Sequence, residues 1–558
     1  MAAGVLALAM VSMTAAAAAA ARTSAEAREV PADLILVSAK IWTGDLRNPE
    51  AEALAVRGGK IVAVGSNKQI EALKGPQTKV LDGKWRRVVP GMIDCHTHMS
   101  GGGLDLLAMD LRKTKDPAEF THTVADYAKK QPPGVWLTDG AWDHEQWNPV
   151  RLPTKADLDP ATGDHPTCLS RQDGHMMVCN SLALKAGGVT RETPNPSGGV
   201  IVKDEKGEPT GVLKDTAMDL VWKQRPERTL QEIVAGLRAA NAHAAKNGVT
   251  SVQDLPGGPL DVLGWDALRL NGELTVRVNY RPLLQTWPKP LETKKSIVND
   301  EWLRIGGVKA FMDGALGAGT AWMFAPWLDD PGNSGVPMPE VEGMEDRIAA
   351  ADAAGLQVEV HAIGDKANAM ILDIYERVAK KNGPKDRRFR VEHAQHLRQE
   401  DIPRFAQLGV IPSMQPYHAV DDGRWADRKL GKERARGTYA FRSLLDAKAA
   451  LAFGSDWDVA PLSPILGIAA AVTRATIDGK QPGGWVPEQK ITAEEALRAY
   501  TVTAAYAAFE EKEKGSLESG KLADFVVLSD DVLRVAPQAI EKIQVDTTVV
   551  GGKVVYSR

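Results

Sequence analysis

The chain has 558 residues, 44% of them hydrophobic and 25% charged. These are ordinary globular proportions, and they exclude a disordered chain, a collagen and a coiled coil. Its 68 Lys and Arg against 72 Asp and Glu leave a net charge of −4. That balance argues against a nucleic-acid or anionic-membrane binder, whose affinity rests on excess basic charge. Only three cysteines occur, Cys95, Cys168 and Cys179. So odd and sparse a set makes no disulfide framework, and stability is expected from burial alone.

Residues 1–21 carry no charge, and Arg22 is the first charged residue. The stretch is long enough to span a bilayer. Its alanine-rich second half is only weakly apolar, however, and Ala19-Ala20-Ala21 and Ala25-Glu26-Ala27 both suit signal peptidase. No Lys or Arg follows Met1, so a plain tail, or a start further upstream, is the alternative. Residues 1–27 are expected to be a signal peptide, giving a periplasmic or secreted protein with no stable membrane span after processing. No cysteine lies near the junction to carry a lipid.

From residue 32 to 90 the chain reads as short strands and turns. The segment ALAVRGGKIVAVG places Gly58-Gly59 between two apolar runs, a hairpin signal. The C-terminal end repeats the style in LADFVVLSDD and in VDTTVVGGKVVYSR, around Gly551-Gly552. A composite β-domain of residues 32–90 and 505–558 is expected. The middle, 91–504, alternates apolar runs with Ala-rich helical stretches. Eight runs stand out: VVPGMIDCHTH, GVTSVQDL, LTVRVNYRPL, IGGVKAFMDG, LQVEVHAIGD, RFRVEHAQHL, GVIPSMQPYH and ALAFGSDWD. Such alternation predicts an α/β fold with a parallel barrel. The gap at 101–238 is too long for one helix and predicts an insertion folded over the barrel mouth.

Polar residues end most of these runs: His96 and His98, then Lys309, His361, His393 and Asp456. Strand ends of a barrel converge on one face, where active sites lie. Histidines at i and i+2 of a strand point to one side. A lone His is more often a satisfied or surface residue, and His122, His243 and His396 are read that way, as surface or helix residues. The ordered set of six metal-competent groups is the stronger signal.

With its motifs PGMIDCHTH, RQDGHMMVCNSLAL, GGVKAFMDGALGAGTA, VEVHAIGDKA, RVEHAQHL, LAFGSDWDVAP and GSLESGKLADFVVL, the sequence resembles the amidohydrolase superfamily. Within it, the amidohydrolase-3 or YtcJ-like branch, with its N-substituted formamide deformylases, is the nearest in pattern. The resemblance implies a distorted (β/α)8 TIM barrel beside a small β-sandwich formed from both chain ends. It implies two divalent metal ions. His96 and His98 would bind the more buried ion and His361 and His393 the second. Lys309, as a carbamate made with CO2, would bridge them. Asp456 would complete the first site and carry protons. Nitrogen and oxygen ligands suit zinc, and accept Mn, Fe or Co as well. Asp458 stands where many relatives have proline, a departure that leaves the ligand set intact.

His175, in the insertion, would face the substrate as a donor; a loop-structuring role is the alternative. Tyr417 and His418 follow run seven and should face the same mouth. Trp142, Trp147, Trp322, Trp425 and Trp457 would surround the opening as an apolar substrate wall, or else pack the insertion on the barrel.

The function implied is metal-dependent hydrolysis of a non-peptide C–N bond in a small amide, N-acyl or N-formyl compound. Nucleic acid is not expected as a partner; a homo-oligomer is compatible. Two rivals stay open: a deaminase or cyclic-amide hydrolase of the same superfamily, and a catalytically silent exported binding protein.

Overall fold

All eight apolar runs contain a strand in the computed structural model, which describes residues 30–255, 258–297 and 299–558. The expected signal peptide, residues 1–27, lies outside the described residues. The strands are β1 (Met92–Thr97), β2 (Val249–Asp254), β3 (Arg277–Tyr280), β4 (Gly307–Phe311), β5 (Gln357–Ala362), β6 (Arg390–His393), β7 (Ile411–Met414) and β8 (Ala452–Phe453). Nearly every residue in them is buried. Strands covered on both faces need apolar side chains on both, which is why they read as continuous runs.

Within each of two sheets, strands that follow one another pair in parallel. The first sheet runs β1, β2, β3 and then a short extra strand, Leu303–Ile305; the second runs β4 to β8. The two sheets meet at both edges. A parallel bridge joins Thr97 to Trp457, and another joins Leu283 to Lys309. Backbone hydrogen bonds reinforce the seams, from Asp456 N–H to His96 O at 2.7 Å and from Lys309 N–H to Pro282 O at 3.0 Å. This is the arrangement a closed eight-stranded barrel requires.

Helices cross between the strands. Leu230–Lys246 leads into β2 and opens with a capping box of Thr229 and Glu232. Asp365–Asn382 follows β5 and buries Ile371, Leu372, Ile374 and Tyr375 along one face. Such a stripe is what turns helical spacing into packing.

The stretch 101–238 is more than loops. It holds a five-stranded sheet in the order Gly199–Lys203, Pro209–Asp215, Met176–Cys179, Thr167–Arg171, Leu137–Trp142, with its own apolar core around Leu184, Leu213 and Val221. Here an expectation fails. Cys168 and Cys179 face each other across an antiparallel pair and form a disulfide, so burial is not the sole source of stability. They stand eleven positions apart in sequence, and strand register, which counting cysteines does not supply, brings them together. Cys95 is free and buried.

Both chain ends contribute to one six-stranded sheet: Lys553–Ser557, Val545–Val550, Phe525–Leu528, Arg87–Pro90, Lys40–Trp42, Glu50–Ala51. A four-stranded sheet from the N-terminal side shares a core with it through Leu36, Leu54, Val56, Val88, Phe525 and Val549. Gly58 and Gly59 both take positive φ, as a tight hairpin turn demands. A Cβ on Gly59 would sit 3.3 Å from Gly551 O, at the tip of the C-terminal hairpin. Helix Val502–Ala507 crosses residue 505 and packs through Ala504 and Ala505 on Ile93 and Cys95 of β1. The first strand from the C-terminal end is therefore Phe525–Leu528.

Candidate metal centre

The ends of β1, β4, β5, β6 and β8 bring the six sequence-selected groups together. His96 lies inside β1, and His98 caps the short helix Met99–Asp105 that follows. One oxygen of Asp456 serves both rings: Oδ1 lies 3.2 Å from His96 Nε2 and 3.3 Å from His98 Nε2. Its other oxygen faces His393 Nδ1 at 4.0 Å and His418 Nε2 at 3.9 Å. Lys309 Nζ is 3.5 Å from His96 Nε2. The rings of His361 and His393 are 4.5 Å apart, and those of His96 and His393 4.8 Å.

The donor atoms of His96, His98 and Asp456 lie within 4.8 Å of one another, as do those of His393, His418 and Asp456. His361 belongs to neither trio; its Nε2 is 3.0 Å from Gly314 O. His393 and Asp456 hold left-handed backbone angles, φ +72 and +59, which non-glycine residues rarely adopt and which cluster at functional sites.

Burial sets the electrostatics. It pushes His361 and His393 well below the usual imidazole range and lowers Lys309. His96 is subject to the same burial and to Lys309, yet Asp456 and Glu392 lift it above its ordinary value. Burial would raise Asp456, but the neighbouring imidazoles of His96, His98 and His393 hold it far below the carboxylate range. The donor set of imidazoles and one carboxylate fits divalent zinc-type chemistry. His418 Nε2 is buried with no hydrogen-bond partner among the described residues, an orphan that a cation or substrate would satisfy.

His175 sits on the tip between Thr167–Arg171 and Met176–Cys179. Its Nδ1 is 2.7 Å from Asp215 Oδ1, and its ring is 5.3 Å from that of His361. Burial opposes its charge, but Asp215 wins and pushes it up to about 9. Tyr417, on helix Pro416–Asp422, is half-buried, and burial pushes its hydroxyl up to about 12.

Trp142, expected in the substrate wall, lies inside the insertion. It is fully buried, its Nε1–H donates to Leu169 O at 2.7 Å, and it packs with Phe120 and Trp147 inside the insertion. These contacts account for the indole by packing within the insertion. Trp147, Trp425 and Trp457 are buried too, and Trp322 is partly exposed. His122 is exposed on helix Pro117–Ala128, and His243 stacks on Trp457. His396 is buried and satisfied by Thr438 Oγ1 at 2.9 Å, in the loop after β6 rather than on a helix.

Sequence reasoning missed the floor beneath the centre. Gln253, Arg281, Gln357, Glu359, Arg390 and Glu392 are buried there, where barrels usually carry branched apolar residues. The signal was present: Arg390 and Glu392, like Glu359 and His361, stand at i and i+2 of one strand and so share its inner face. A surface cavity of about 960 Å3, lined by Lys294, Arg304, Ala354 and Lys512 among others, lies near the starting ends of β4 and β5, away from these ligands.

The sequence matches the amidohydrolase family over residues 79–556. Protein LONG AFTER FAR-RED 3 of Arabidopsis thaliana is 41% identical over 540 residues, covering 94% of this chain and 92% of that protein. The N-substituted formamide deformylase of Arthrobacter pascens is 28% identical over 548 residues, covering 94% and 98%. An uncharacterized metal-dependent hydrolase from Pyrococcus horikoshii superposes with a TM-score of 0.72 at 28% identity, over 90% of this chain and 99% of that one. These matches support a hydrolase with a metal site. The family match runs from strand Lys79–Asp82 into the last strand and takes in every ligand candidate, and the chain belongs to the amidohydrolase family.

Proposed function

We propose that the protein hydrolyses a non-peptide C–N bond in a small amide, N-acyl or N-formyl compound, using two divalent metal ions, zinc by preference. The observation that carries this reading is the convergence of His96, His98, Lys309, His361, His393 and Asp456 from five strand ends. The similarity to a formamide deformylase supports the substrate class. On this reading the two parallel sheets are one distorted (β/α)8 barrel (91–504), and the sheets from the chain ends form a β-sandwich beside it (32–90 with 505–558).

His96 and His98 would hold one ion with Asp456, and His361 and His393 the other. Bound there, the ions would acidify a water and polarise a carbonyl. Burial lowers the Lys309 ammonium, favouring the neutral amine that attacks CO2 and loses a proton to become an anionic carbamate. Asp456 takes the proton of the attacking water and hands it to the departing nitrogen. His175, braced by Asp215, donates to an oxygen of the substrate, and Tyr417 with His418 borders the same space.

Metal-loaded protein screened against small amides and N-formyl amines, with Asp456→Asn as control, tests the reading. Turnover that yields a carboxylic acid and is lost in Asp456→Asn supports it. Release of ammonia from a ring or an amidine would mark the deaminase or cyclic-amide rival, and binding without turnover the silent protein.

We also propose export. The uncharged leader motivates it, and the Cys168–Cys179 disulfide supports it, because such bonds persist in oxidising compartments. N-terminal sequencing of protein made in a Gram-negative host should find a start near Arg22 or Arg28; an intact Met1 in the cytoplasm would refute it.

A further inference from the structure

Among the described residues, Glu392 joins the charged floor to the metal centre. Glu392 Oε2 lies 2.6 Å from His96 Nδ1. Its other oxygen, Oε1, is paired with Arg390 Nη2 at 2.7 Å. Arg390 is itself fixed. Its Nη2 donates to Cys95 O at 2.7 Å and to Ser413 Oγ at 2.8 Å, and its Nη1 faces Glu359 Oε2 at 3.2 Å. Arg281 continues the set, with Nη1 donating to Gln357 Oε1 at 2.8 Å. Both arginines and both glutamates are buried, so their charges balance within the barrel, where an unpaired one would be costly.

A guanidinium has donors only, and an ionised carboxylate acceptors only. Arg390 therefore keeps Glu392 an acceptor, and Glu392 requires the proton of His96 to sit on Nδ1. That leaves the lone pair on Nε2, the nitrogen that points at Asp456 Oδ1 and Lys309 Nζ. We infer that Glu392, held by Arg390, is a positioning residue that fixes the His96 tautomer and ring direction, so that Nε2 is always presented to the metal. The inference rests on the proposed metal-dependent reading and adds to it a chain of three residues from the barrel floor to the ligand.

Glu392→Gln tests it sharply. The amide keeps the shape, but it has one acceptor and one donor. The Arg390 guanidinium demands the acceptor, so the amide N–H2 turns toward His96 Nδ1. His96 must then carry its proton on Nε2, the tautomer that cannot bind. Glu392→Asp is the companion variant. It keeps the charge balance with Arg390, so folding is preserved, but it withdraws the carboxylate from Nδ1 by one methylene.

Cobalt(II) binding to the whole metal-free chain would be followed by its visible absorption and by chelator competition, with circular dichroism reporting the fold. We expect Glu392→Gln to weaken the tighter site about 10–100-fold, the usual effect of losing such a partner. Glu392→Asp should show a smaller loss with an altered ligand-field spectrum. If either variant folds and binds cobalt with wild-type affinity and spectrum, the inference is overturned. If wild type itself binds no divalent metal, it is the metal-dependent reading that has failed.

Discussion

At the scale of the residue, Asp456 concentrates the chemistry. It is within reach of His96, His98, His393 and His418 through two oxygens, and among the described residues it is the carboxylate shared by both ligand trios. Asp456→Asn keeps shape and an oxygen donor but removes the base proposed above. We expect the variant to fold, to retain at least one metal, and to lose about 10²–10⁴ in kcat. Steady-state kinetics within a few-fold of wild type would place the base elsewhere. A second residue-level expectation concerns acid stability. Burial pushes His396 down to about 3, against about 6.5 in an unfolded chain. Its neutral form thus stabilises the fold fully above pH of about 6.5, and that contribution is lost as pH falls toward 3. The loss is about 1.4 kcal/mol per pH unit for one proton. His396→Gln should flatten the pH dependence of the unfolding free energy by that slope between those limits; identical slopes would contradict the assignment. The ligand candidates were legible in sequence because each sits at the end of an apolar run. The floor residues Arg390 and Glu392 were not, because charged residues inside such a run read as exceptions until both faces of the strand are seen to be buried.

At the scale of the element, the eight core strands were legible for the same reason, even β8, which has only two strand residues. The insertion was legible only as a gap. Its strands are short, and the tip joining two of them carries Arg171, Asp173 and His175, polar residues that look like loop. Without register, Cys168 and Cys179 could not be paired. The disulfide ties the two strands whose tip holds His175. By loop-closure entropy such a link is worth about 3 kcal/mol. Cys168→Ser should lower the thermal midpoint, and a reductant should lower that of wild type but leave the variant unmoved. Alkylation that finds three free thiols in unreduced wild type would contradict the pairing.

At the scale of the whole molecule, the insertion is fastened over the centre by charge. Asp143 lies between Arg171 at 2.9 Å and Arg424 at 3.3 Å, and Arg428 reaches Glu145 at 2.8 Å. Arg171 and Asp143 belong to the insertion, and Arg424 follows β7. Lys214 Nζ adds a hydrogen bond to Ala318 O at 2.8 Å. Arg424→Ala should loosen the cover without touching the ligands. We expect KM for the substrate to rise several-fold, with kcat changed less, the signature of lost substrate binding. A fall in kcat as large as that of Asp456→Asn would mean that Arg424 acts on the reacting atoms instead. Among the described residues no helix is long and apolar enough to cross a membrane.

Native mass spectrometry of the wild-type chain, beside Lys309→Ala, tests the central claim most directly. The claim is that these strand ends hold two bridged divalent ions. The account predicts wild type with two metal ions and the added mass of one CO2. Lys309→Ala should lack the CO2 and most of the metal, and short carboxylic acids that fill the gap should restore part of the activity. Wild type that binds no divalent metal, or that holds two ions with an unmodified Lys309, would contradict it.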